Sequence, residues 1–271
     1  MVRRLGLLLV IVGALAVVPS ASAAFPGPMA VQGGAGLANL DGSLRFVAVK
    51  AGTGTKIAAV DAGGVMVMSR TVPGSFGTVM LTPNGVAGGL FHDGSAFVLQ
   101  NLGIQPTSRF TILDTKDLAT RDTITLKGTY GFDALSPDAS RLYLIQHTST
   151  EDIQHYIVRA YDLKAHTLLP GRVADKTQRS WVMQGWAVDR VTTSEGRWAY
   201  TLYANPGGFP FIHALDTVRG VAHCVGLPWT ATDQNPVYSF HLALKRSSVV
   251  VHWSDGRVWR SVDTTSWRVS K

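Results

Sequence analysis

The sequence predicts an all-β chain, a β-propeller of five four-stranded blades of about 50 residues each. Three observations lead there. First, an apolar strand runs into an aspartate and turns five times, in IAAVDAGG, FTILDTKD, VRAYDLKA, IHALDTVR and WRSVDTTS, at Asp61, Asp114, Asp162, Asp216 and Asp263. The gaps between these aspartates are 53, 48, 54 and 47 residues, a near-constant period that marks a repeat architecture. Second, short runs rich in Val, Ile, Leu, Tyr and Phe are bounded by Gly, Pro, Asp and Ser, which is the pattern of strands and tight turns. Third, no segment carries a sustained helical period with caps.

The elements follow in chain order. Met1-Val2-Arg3-Arg4, the apolar run Leu5–Val18 and Ala21-Ser22-Ala23 read as a secretory signal over residues 1–23, with cleavage expected before Ala24. The apolar run is short for the ~20 residues that cross a bilayer. Residues 24–271 are then expected as one propeller domain. Met29-Ala30-Val31-Gln32 is a candidate extra strand, and no strand exchange that would close the ring is visible. In the first unit Asp41-Gly42 turns into RFVAV, and KIAAV ends at Asp61. In the second, Thr82-Pro83-Asn84-Gly85 is expected as the turn before SAFVLQ. The third is the clearest: Phe132–Leu135, a Ser136-Pro137-Asp138-Ala139 turn, RLYLIQ, a polar loop His147–His155, YIVRAY, then Asp162. The fourth repeats this with Ser194-Glu195-Gly196 before RWAYTLY. The fifth has lost the turn motif at Leu244-Lys245-Arg246-Ser247 but keeps SVVVHW and SWRVS.

GFDALSPDASRLYLIQ followed by VRAYDL resembles the repeat of bacterial WD40-like propellers, the YVTN and lactonase-type families, whose units read SPDG-x-x-LY-V and then V-x-D. VTTSEGRWAYTLY with FIHALDT is similar. The resemblance covers most of the chain after the signal segment. It implies the fold; such repeats encode blade packing, and propellers host hydrolases, dehydrogenases, lectins and scaffolds alike.

Composition narrows the partners. The net charge of +7 falls to +5 once Arg3 and Arg4 are removed, and no run of adjacent Lys and Arg forms a nucleic-acid patch. The single cysteine, Cys224, allows no intrachain disulfide, and within VAHCVGL it reads as a small buried hydrophobe. The expectation is therefore an exported monomer with no cofactor and no later membrane span. Its partner would be a protein, a peptide or an envelope glycan.

Sites are expected on the loops that lead into each blade and on those between second and third strands. The first set holds Phe76, Tyr130, Trp181, Trp186, Trp229 and Tyr238, an aromatic face suited to sugar rings or peptide side chains. Trp181-Val182-Met183-Gln184-Gly185-Trp186 lies between the third and fourth units, in a connection longer than the repeat needs. The polar loop offers His147, Glu151, Asp152 and His155 as candidate metal ligands. Asp133, Asp189 and Arg190 are candidate channel residues, with Phe132-Asp133 and Asp189-Arg190 out of register and an ion pair as plausible as an acid–base role. There is no G-x-S-x-G, H-E-x-x-H or P-loop, and only two glutamates, Glu151 and Glu195. A non-catalytic binding scaffold is the leading expectation. A lactonase- or glycosidase-like hydrolase with channel carboxylates or a metal is the alternative.

Overall fold

A computed structural model of the chain describes residues 29–82, 85–177, 182–205, 207–231 and 235–271. The expected signal segment, 1–23, and Trp181 lie outside the described residues. Strand β1 (Met29–Val31) precedes five antiparallel sheets. The first holds β2 (Leu37–Ala38), β3 (Leu44–Ala51), β4 (Gly54–Asp61) and β5 (Met66–Pro73). The second holds β6 (Phe76–Met80), β7 (Ala87–Gly88), β8 (Ala96–Asn101), β9 (Thr107–Asp114) and β10 (Thr120–Lys127), with β1 added to the free edge of β6. The third holds β11 (Tyr130–Leu135), β12 (Arg141–His147), β13 (His155–Asp162), β14 (Thr167–Leu168) and β15 (Met183–Gln184). The fourth holds β16 (Trp186–Thr192), β17 (Trp198–Ala204), β18 (Phe211–Asp216) and β19 (Val221–Gly226), and the fifth β20 (His241–Lys245), β21 (Ser248–His252), β22 (Val258–Asp263) and β23 (Val269–Ser270). This is a propeller-like arrangement of sheets of about four strands. Among the described residues the one helical segment is a 3-10 turn, Asn235–Ser239, and no helix is long and apolar enough to cross a membrane.

The five repeat aspartates all end the third strand of their sheet. Four of the carboxylates accept backbone N–H groups of the following turn: Gly63 and Val65 on Asp61, Lys164 and Ala165 on Asp162, Val218 and Arg219 on Asp216, Thr265 and Ser266 on Asp263. Asp114 departs from this plan. Its carboxylate is taken by the Arg121 guanidinium, and Asp117 accepts the N–H of Ala119 instead. The threonine after three of the aspartates is explained too. The hydroxyls of Thr115, Thr217 and Thr264 donate to Gly94, Gly196 and Ser247 carbonyls, tying the third-strand turn to the turn between first and second strands.

That first-to-second turn needs one residue in the left-handed region, and it falls on Gly42, Gly94, Ala139, Gly196 and Arg246. In the second unit, then, the repeat turn is His92-Asp93-Gly94, where Phe91 and Ala96 close the hairpin. The turn expected at 82–85, of which residues 83 and 84 lie outside the described residues, is not the repeat turn. Leu81 N–H bonds Val86 O across it, and β7 folds back on β6. The described parts of the long connection before β16 lie along the third sheet. Val173 bridges Val158 and β15 pairs with His155–Tyr156, so the connection continues the outer edge of the third sheet in pieces.

A single sheet cannot bury both of its faces alone; stacking against its neighbours does so. One apolar cluster joins the first and second sheets and contains the stacked Phe46 and Phe97 rings, 4.6 Å apart. A second joins the second and third through Phe110, Phe132 and Leu144, a third and fourth join the third and fourth sheets, and a fifth joins the fourth and fifth through Tyr200, Phe240 and Val251. Each fully buried large side chain contributes roughly 1.5–3 kcal/mol. Hydroxyl hooks fix the stacking distance. Thr55 Oγ1 accepts the N–H of Phe76 and donates to Gly74 O, and Ser108 Oγ does the same for Tyr130 and Gly128.

Candidate functional site

The first strands of the first four sheets enclose a cavity of about 380 Å³. Its walls are largely apolar: Leu37, Leu81, Leu90, Phe132, Leu135 and Ala199. Its polar lining is His92, Asp133, Ser136, Arg190, Thr192 and Thr217. Ser136-Pro137, Gly196 and His92 set its mouth, so it opens at the end of the first-to-second turns. This is the opposite end from the loops on which the sequence placed a binding face. The turns close in tightly there. A Cβ on Gly196, whose φ is +72°, would come within 3.2 Å of Nδ1 of His92.

Two β-bulges aim the charged groups. In β11 the register jumps between Phe132 and Ala134, which leaves Asp133 without a residue opposite; in β16 it jumps between Ala187 and Asp189. Asp133 is thus the counterpart of Val188, and Asp189-Arg190 follow one position later, the offset read in the sequence. Arg190 crosses to the third sheet. Its Nη2 donates to Oδ1 of Asp133, its Nη1 to the Asp133 carbonyl, and its Nε to Oγ1 of Thr201 at 2.7 Å. Both side chains are buried, with relative exposures of 3% and 1%. Oδ2 of Asp133 is buried and has no hydrogen-bond partner among the described residues. Asp189 points to the other face of the fourth sheet, where Oδ2 accepts the N–H of Leu242 at 2.8 Å and lies 3.6 Å from Nδ1 of His241. The adjacent pair therefore locks the fourth sheet to both neighbours, and the two aspartates do not converge.

Sequence reasoning missed what lies behind Arg190. Directly opposite residues on the fourth sheet, Arg190, Thr201, His213 and Cys224, form a polar row across the face that packs on the third sheet. Nδ1 of His213 lies 3.5 Å from Sγ of Cys224, and Asp175 accepts the N–H of Cys224. Burial pushes His213 down to about 4 and the Cys224 thiol up to about 12, so at neutral pH both are uncharged and the sulfur is a poor nucleophile. Cys224 is half-buried and polar-paired rather than a plain hydrophobe. The row was hidden because its members lie 11 or 12 positions apart on separate strands, and only the register aligns them.

The aromatic candidates divide. Phe76 and Tyr130 are buried members of the inter-sheet clusters. Trp229 and Tyr238 are half-buried against the cluster between the fourth and fifth sheets, with Trp229 5.5 Å from Trp259 and 6.1 Å from Phe240. Trp186 is half-buried at the start of β16. They do not form one exposed face. The candidate metal ligands also diverge. Nδ1 of His147 faces the carbonyl of Ile153 in its own loop, His155 pairs with Asp152 at 2.6 Å, and the Glu151 N–H donates to Ser149. Among the described residues no group of three His, Cys, Asp or Glu is placed to hold a metal ion.

No protein-family model and no curated protein matches the chain. Solved structures do. The chain is similar to a putative 6-phosphogluconolactonase from Bacteroides uniformis, at 13% identity over 85% of this chain and 67% of that one, with a TM-score of 0.47. It is similar to the Cps50 (Swd1) β-propeller domain of Myceliophteria thermophila, at 11% identity over 88% and 70%, TM-score 0.48. It is also similar to a putative TolB from Agrobacterium tumefaciens, at 12% identity over 90% and 79%, TM-score 0.43. These likenesses, to propeller proteins of several kinds, carry no argument about activity.

Proposed function

We propose that this chain is an exported, non-catalytic, five-bladed propeller of the WD40-like type that binds a partner through the cavity among its first strands. One observation carries the reading: the cavity has aliphatic walls, and its charged pair is turned in on itself. Arg190 turns all three of its nitrogens to Asp133 and Thr201 and is only 3% exposed. An apolar pocket with few polar groups is the usual form of a binding site. The alternative, a lactonase- or glycosidase-like hydrolase, asks for paired carboxylates about the scissile bond or for a metal. Asp133 and Asp189 face different neighbouring sheets, which weighs against the first route.

Five blades are supported by the five-fold recurrence of the aspartate turn and the left-handed turn residue. Export is supported by the order of residues 1–23, which would leave 24–271 as one monomeric domain meeting a protein, peptide or glycan of the envelope. The test is twofold. Exported material is analysed by mass spectrometry, with an N-terminus at Ala24 expected. The purified chain is then assayed on lactones and aryl glycosides beside the Asp133→Asn variant. Turnover by the natural chain that the variant loses would make it a hydrolase.

A further inference from the structure

The first sheet has one apolar face that no other sheet covers, and the repeat shows this position by position. The residue just before each repeat aspartate packs back on the preceding sheet. Leu113, Tyr161, Leu215 and Val262 are all buried this way in the inter-sheet clusters. Their counterpart in the first sheet, Val60, is only half-buried. The second strands agree. Phe97 and Leu99, Leu142 and Leu144, and Val249 and Val251 face the preceding sheet and are fully buried. In the first sheet Val47 is half-buried and Val49 is 43% exposed. Strand pairing puts Val47, Val49, Val60 and Met66 on one face, with Met66 49% exposed and Ala58 alone buried among them. The fifth sheet offers little cover. The residue two before the aspartate faces the next sheet; it is Ala59, Ile112, Ala160 and Ala214 in four units and a serine, Ser261, in the fifth. Among the described residues no apolar cluster and no hydrogen bond joins the fifth sheet to the first.

We propose that this face of the first sheet is a docking surface for an acidic β-segment of a protein partner. It lies apart from the cavity and does not rest on the reading of that site. The strands themselves ask for a cover. In RFVAV and KIAAV both faces are apolar, the pattern of strands buried on two sides, whereas a face meant for water alternates with polar residues. The charge says which cover. Arg45 shares a row with Val60 and Met66, Lys56 shares one with Val49, and no carboxylate stands on this face. Lys245 rims the facing side of the fifth sheet, where Asp263 is taken up by the N–H groups of its own turn. A second copy would bring the same cations against these. A polyanion without apolar groups would leave the valines in water. A strand or hairpin with apolar side chains over Val47, Val49 and Val60 and Asp or Glu at its rim meets both demands.

The test places photo-reactive benzoylphenylalanine at Val49 of the full chain. The producing cells are irradiated and the cross-linked peptide is sequenced by mass spectrometry; Met66 carries the label if the Val49 variant does not fold, and Val218, an exposed turn residue of the fourth sheet, is the control. The expected product is an adduct to another protein, at a segment that alternates apolar residues with Asp or Glu, and absent from the control. Arg45→Glu with Lys56→Glu should lower its yield at least roughly tenfold with the melting temperature kept; Lys56→Glu alone serves if the double variant does not fold. An adduct within one chain to residues 241–252 would show that the fifth sheet closes on the first, and overturns the proposal. An adduct to a second copy, to a glycan or to a segment without carboxylates overturns it too. So does an unchanged yield after charge reversal, or no adduct from either labelled position.

Discussion

Arg190 of the fourth sheet holds Asp133 of the third by two bonds at once, one to the carboxylate and one to the carbonyl of the same residue. The pair is buried on both sides, so its two members are not equivalent to mutate. Arg190→Met leaves a carboxylate uncompensated in the interior and is expected to cost about 3–5 kcal/mol in urea unfolding. The double variant Asp133→Leu with Arg190→Met removes both charges and should recover most of that loss. A double variant as unstable as the single one would show that the pair is a net source of stability.

The repeat aspartates should separate by what each carboxylate holds. Asp162→Ala is expected to cost roughly 0.5–1.5 kcal/mol, the net worth of a hydrogen bond. Asp216 is fully buried. Burial works to raise its carboxyl, but the bonds from Arg197 and from the N–H groups of Arg219 and Val218 outweigh it and hold it below the usual range. Asp216→Ala should therefore cost more, about 2–3 kcal/mol. Asp114→Ala, which loses only a half-exposed pair with Arg121, should cost least. Chemical unfolding of the three variants in parallel decides the order.

Two turn residues sit where three repeats supply glycine. Ala139 and Arg246 have φ of +53°, while Gly42, Gly94 and Gly196 take the same place at no steric cost. Arg246→Gly relieves a left-handed conformation worth about 1–2 kcal/mol, less the extra freedom glycine gains in the unfolded chain. A net gain near 1 kcal/mol, or roughly 2–4 °C in melting temperature, is expected by calorimetry. No gain, or a loss, would mean that the Arg246 side chain holds the turn.

Stability should fall in mild acid through His213. Burial lowers its folded value to about 4 from the ordinary histidine value of 6.5, so the unfolded state binds the proton more readily. The sign follows: the contribution of neutral His213 is complete above about pH 6.5 and is lost as pH falls toward 4, below which this group adds no further slope. The total is on the order of 3 kcal/mol. Unfolding curves at pH 7, 5.5 and 4 should show it, and His213→Gln should flatten the profile between them. An equal slope in that variant assigns the acid loss to the carboxylates.

Trp229→Ala removes a ring packed against Phe240 and Trp259 and should destabilise by roughly 3–5 kcal/mol if it acts as core. A near-unchanged melting temperature with weakened partner capture would return it to the binding surface.

Local chemistry wrote much of the architecture into the chain. An aspartate that ends a strand, a threonine after it, and a glycine two or three residues before the next strand each act over a few residues, so Asp61, Asp162, Asp216 and Asp263 and the second strands could be read directly. The sequence at 82–85 misled because Pro and Gly favour a turn wherever they fall, and only the sheet register shows that His92-Asp93-Gly94 is the repeated one. Asp133, Asp189 and Arg190 were legible as charges in apolar strands, and an ion pair was open to the sequence. Which aspartate meets Arg190 was not, since it depends on two bulges that turn neighbouring side chains to opposite faces. The aromatic residues give the clearest contrast. A ring beside a turn reads alike whether it faces water or the next sheet, and stacking alone put Phe76 and Tyr130 inside. Thus the period and the turns were properties of the sequence by itself. The cavity, the Arg190–Asp133 clasp and the row from Arg190 to Cys224 were decided by tertiary structure, because each joins strands far apart in the chain through register and face that no local pattern encodes.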